Sequence, residues 1–133
     1  EIINMAIVVI RTESGMSLTT SFAALDNLAG ASVSSSFTVP QGVSGIKQVS
    51  ISMSNDAAEE TIGLLKISGN AMRDGDAVFT AAGMVIGATA TGNASNSIQY
   101  DTDLGVVSGN SVELSLAGTT AATVDAAVTV TFA

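Results

Sequence analysis

A chain of 133 residues has room for one domain with a real core, and an apolar fraction of 47% at a net charge of −8 excludes intrinsic disorder. Its four basic residues, Arg11, Lys47, Lys66 and Arg73, stand singly along the sequence. Phosphate-rich partners and anionic membrane surfaces need clustered positive charge, so both are excluded as direct targets. Histidine and cysteine are absent, which removes the commonest general base, the thiol nucleophile, zinc-type ligation and any disulfide framework.

In chain order, the first element is apolar. Ile2 to Ile10 is interrupted only by Asn4 and stops at Arg11. It is too short to span a bilayer, which takes about 20 apolar residues, and it lacks the basic flank and cleavage site of a signal peptide. Its Ile and Val content predicts a strand over 4–12. Leu18, Phe22, Leu25 and Leu28 follow three- and four-residue spacing with Gly30 behind them, which predicts a helix. Val33, Phe37 and Val39 share one face of a strand that Pro40 closes. From Ile46 to Ser54, Val49, Ile51 and Met53 alternate with Ser50 and Ser52, the pattern of a half-buried strand. Ser54 to Glu60 reads as one helical turn, with acids near its N-terminus.

Thr61 to Ser68 predicts a strand with Leu65 and Ile67 on one face and Ile62 and Leu64 on the other. Asp76–Thr80 and Met84–Thr91 are glycine-interrupted and read together as one bent or bulged strand. Asn96–Asp101 and Val112–Leu116 follow as shorter strands. In the last, Val124, Ala126, Val128, Val130 and Phe132 face in while Asp125, Thr129 and Thr131 face out. No βαβ alternation and no linker interrupts the series, so the expectation is a single all-β domain over 1–133. It is an antiparallel two-sheet sandwich, jelly-roll-like, of about eight strands with at most one or two short helices.

Candidate chemistry is sparse. Asp74 and Asp76 in Arg-Asp-Gly-Asp, with Asp101 and Asp103 in Asp-Thr-Asp, are alternate acids of the kind that can surround calcium. The downstream Glu of an EF-hand is missing, and Asp-Gly is also ordinary hairpin-turn chemistry. Asn93 opens the glycosylation triplet Asn-Ala-Ser. The serines beside Lys47 and Lys66 fall on outward strand positions rather than at a nucleophile elbow, so no enzymatic activity is expected. Four Phe, one Tyr and no Trp, mostly on inward positions, leave few platforms for sugars or bases.

The run from Leu64 through Phe79 and the terminal Asp125 to Phe132 resemble small single-jelly-roll structural proteins of virions, over the C-terminal half of the chain. The resemblance implies a capsid or capsid-decorating subunit that forms symmetric homo-oligomers with copies of itself or other structural subunits. No basic N-terminal arm is present to hold a genome, which points to a shell or external layer. An alternative places the chain on a cell surface or outside the cell, as a filament or surface-layer subunit. Ile2, Ile3, Met5, Ile7 and Val9 would then form an assembly strand donated to a neighbour's sheet. A third reading is an adhesion or carbohydrate-binding sandwich.

Overall fold

Alternation decides where the chain extends. Thr61–Ser68 buries every second residue, with Leu65 and Ile67 at 1% exposure or less, while Ile62, Leu64 and Lys66 stay half-covered. A period of two fits only a strand with one face on a core. The computed structural model describes residues 6–25, 36–55, 61–86 and 95–133. Among them lie nine strands: β1 (Ile7–Leu18), β2 (Ala23–Ala24), β3 (Ser36–Thr38), β4 (Gly45–Asn55), β5 (Thr61–Ser68), β6 (Ala77–Ile86), β7 (Ser95–Gly105), β8 (Ser111–Gly118) and β9 (Ala122–Phe132).

The strands form two antiparallel sheets. One runs β1-β9-β4-β7, the other β2-β8-β5-β6, with β3 also paired to β8. β2 and β3 therefore share one strand position. The pairings nest: β1 with β9, β2 and β3 with β8, β4 with β7, and β5 with β6. That is one long hairpin rolled on itself, sealed by the lateral contacts of β4 with β9 and β5 with β8. This nesting is the jelly roll. The two-sheet expectation of about eight strands is met.

The core is the space between the sheets. Val49, Ile51 and Met53 of β4, Leu114 and Leu116 of β8, and Val124, Val128, Val130 and Phe132 of β9 are all at 2% exposure or less. Each such side chain contributes roughly 1.5–3 kcal/mol by leaving water. One turn shows how tightly the layers close. Gly69, at φ +119, lies so near the Ser111 carbonyl that a side chain would collide with it. Only glycine meets both demands.

Several predicted elements change. The first strand does not stop at Thr12 but runs to Leu18 through a bulge. The helix predicted from Leu18 is absent over the described part: Leu18 ends β1, and Ala23 and Ala24 form β2. Leu18 and Leu25 are buried while Phe22 is 39% exposed, so the apparent helical stripe was never one face. Leu28 and Gly30 lie outside the described residues, as does 56–60 of the predicted turn, whose Ser54 and Asn55 belong to β4. The two glycine-interrupted pieces join as β6 over Ala77–Ile86, while 87–91 of the second lies outside the described residues. There Thr80 pairs with Leu64 and Val85 with Ile62, leaving residues 81–84 against the lone Gly63. β7 extends beyond Asp101 to Gly105. No helix among the described residues is long and apolar enough to cross a membrane.

Candidate functional site

The four acids proposed for calcium occupy two places. Asp103 and Asp101 stand exposed on β7. Lys47 Nζ lies 2.7 Å from Asp103 Oδ1, and Gln48 Nε2 donates to Asp101 Oδ1 at 3.3 Å. The hydrogen bond from Lys47, reinforced by its charge, holds the Asp103 carboxyl below its ordinary value. Asp76 pairs with Lys66 at 3.4 Å, and Asp74 precedes Gly75, whose φ of +89 makes the turn between β5 and β6. Among the described residues no three acidic side chains converge on one point. Of the four acids, Asp103 and Asp76 stand in ion pairs, with Lys47 and Lys66. Asn93, Ile2, Ile3 and Met5 lie outside the described residues.

Ile7 and Val9 are half-buried and pair with Phe132 and Val130 of the same chain. Alternating with them, Val8 and Ile10 point away from the core at 50% and 60% exposure. Arg11 continues the inward series, and only 7% of it reaches solvent. Its Nη2 donates to the Ser36 carbonyl at 2.9 Å, and the guanidinium sits 5.1 Å from the Phe37 ring centroid. Phe37 in turn meets Phe132 edge-on at 6.2 Å. Arginine can be buried this way because its planar head stacks on a ring while its N–H groups find carbonyls. The result is a clasp from β1 of one sheet to β3 of the other. Sequence reading took Arg11 as the end of an apolar run. The available signal was its position, two residues past Val9 on the inward face.

The bulge in β1 builds the second feature that the sequence concealed. Glu13 pairs with Ala126 and Met16 with Val124, so Ser14 and Gly15 together face Asp125. Gly15 adopts φ +65, as a bulge with a left-handed residue requires. Asp125 Oδ1 accepts the Gly15 N–H at 2.7 Å and the Ser14 hydroxyl at 3.0 Å. An outward aspartate on the last strand thereby pins the kink of the first.

Beside the bulge lies a shallow depression of about 470 Å³ on the outer face of the sheet, walled by Thr12, Glu13, Ser52, Ser54 and Ala127. Its lining is mostly apolar, Met53, Ala126 and Ala127 among it, and its polar groups are hydroxyls and carboxylates. Ser14 has an acceptor in Asp125, and among the described residues the lining holds no amine or imidazole. Phe22 lies under Lys66 at 5.7 Å, and Tyr100 is half-buried on β7. No protein-family model matches the chain, and no curated protein sequence is significantly similar to it.

Proposed function

We propose that this chain is a non-catalytic structural subunit that self-assembles, of the virion capsid or capsid-decoration type, working in a virion or at an extracellular surface. The observation that carries the reading is the rolled-hairpin topology, a two-sheet solution that capsid subunits use repeatedly. Folds host many functions, so the choice among them rests on this chain's chemistry. Lectin-like use calls for exposed aromatic platforms, whereas here Phe37 and Phe132 pack inside and Phe22 lies against Lys66. Enzymatic use calls for a base and a nucleophile, and the sequence has no histidine or cysteine. What remains in abundance is small-residue sheet surface. Ser50, Ser52, Thr129, Thr131 and Ala127 lie on the outer face of the first sheet, with Val8 and Ile10 at its β1 edge. Short side chains lose little rotamer freedom when covered, which favours close contact between subunits.

The test is negative-stain microscopy of the purified full chain, with its mass in solution followed against concentration. Closed shells, or particles bound to a preformed shell, support the reading. Open fibres transfer it to the filament alternative. A monomer at every soluble concentration overturns both. Gel-shift titration with single- and double-stranded DNA and RNA should show no binding at physiological salt, as expected of an outer layer.

A further inference from the structure

We infer that the open edge of β1, over Ile7–Thr12, is where two copies of this chain join strand to strand, an inference that rests on the self-assembly reading above. Every open-ended sheet must manage its edges, because an unpaired row of N–H and C=O groups accepts any extended chain. Among the described residues this molecule has four such edges, and three of them are blunted. β2 and β3 are two and three residues long, too short to template a partner. β6 is broken by residues 81–84 bulging opposite Gly63. β7 carries the exposed Asp101 and Asp103, so two β7 edges would bring carboxylates together.

β1 is different. From Ile7 to Thr12 it pairs one-for-one with Phe132 to Ala127 of β9, and the bulge comes only afterwards. The stretch contains no proline and no outward charge, since its one ion, Arg11, is turned inward and clasped to Ser36. Its outward side chains, Val8 and Ile10, are among the most exposed large apolar residues of the chain. Edges are normally protected by outward charges, prolines or bulges, and over these six residues this one has none of the three, its single charge being the inward Arg11.

Charge selects the occupant. At a net charge of −8, copies of the chain repel one another wherever acids meet. Among the described residues, β1 over Ile7–Thr12 and β6 are the two long edges without a carboxylate, and of these only β1 pairs without an irregularity. A charged peptide would find no counter-ion there. A two-fold axis at Val9 sets Val8 of one copy opposite Ile10 of the second, and Val9 opposite itself. Both exposed residues are then covered by each other, and the two four-stranded sheets become one.

The experiment uses the full chain and its lack of cysteine. Sedimentation should show wild type associating, Ile10→Lys associating more weakly by on the order of tenfold or more, and Val78→Lys, on the β6 edge, behaving as wild type. Thermal melts monitor the fold of each variant. As a second measurement, Val8→Cys and Ile10→Cys chains are mixed and oxidised. The mixed dimer should cross-link faster than either variant alone, because the two-fold register places these positions opposite one another. If Ile10→Lys assembles as wild type does, or if the mixture shows no preference, the edge proposal falls while self-assembly stands. If wild type is monomeric at every soluble concentration, self-assembly itself falls.

Discussion

β1 and β9 lie side by side in one sheet, yet they are built to different rules. β9 has a neighbour on each flank, and its inward residues from Val124 to Phe132 are exposed by 4% at most. β1 has β9 on one flank and nothing among the described strands on the other. Along its first half the inward Ile7 and Val9 are only half-buried, the outward Val8 and Ile10 are apolar, and the best-buried side chain is an arginine. A central strand is specified by what lies above and below it. An edge strand is specified as much by what must not, or must, come alongside.

The contrast can be broken from either side. The largest effect is expected in β9. Phe132→Ala removes a fully buried ring that also supports Phe37, and should cost about 3–5 kcal/mol by urea denaturation. A loss below about 1 kcal/mol would mean that the core closes without it. In β1, Arg11→Ala takes away a charge-assisted hydrogen bond and a ring contact, for about 2 kcal/mol. Hydrogen exchange should then rise in β1 and β3 together, and an effect confined to β1 would contradict the clasp. Asp125→Ala releases the bulge and should cost roughly 1–2 kcal/mol, with new amide exchange at Gly15. Ile10→Lys should leave stability within about 0.5 kcal/mol while weakening association, which separates folding from assembly on a single strand.

The smallest effect is at Lys47. Its exposed pair with Asp103 is screened by salt, so Lys47→Met should leave the neutral-pH denaturation midpoint unchanged. A depressed carboxyl contributes its stability above the ordinary aspartate range and loses it as pH falls through the folded value. Carboxyl NMR titration should therefore find Asp103 moved upward in Lys47→Met.

The same contrast explains what could be read in advance. β9, β5 and the centre of β4 were legible because burial on one face imposes period two, and Val124 to Phe132 obeys it at every step. The full length of β1 was not legible. Its second half is held by Asp125, a residue at the other end of the chain, and no local window contains both partners. The false helix at Leu18 arose because Leu18 and Leu25 reach one core from two different strands' ends, a coincidence of spacing that only tertiary structure reveals. Asp76 and Asp103 stood out in the sequence as acids, but their partners Lys66 and Lys47 come from β5 and β4, so the ion pairs were hidden.

A rolled hairpin also has a history. Its pairings differ in how much chain must be looped out before they form, from the short connection between β5 and β6 to nearly the whole sequence between Ile7 and Phe132. Loop-closure entropy rises with that length, and topologies rich in distant pairs fold slowly. Pulse-labelled exchange during refolding should accordingly protect β5 before β1. The strand that closes the roll is then the last to be captured, and for that interval the outer edge of β9 is open to the β1 of any nearby copy. At high concentration, folding and strand exchange between copies of the chain compete for the same strand.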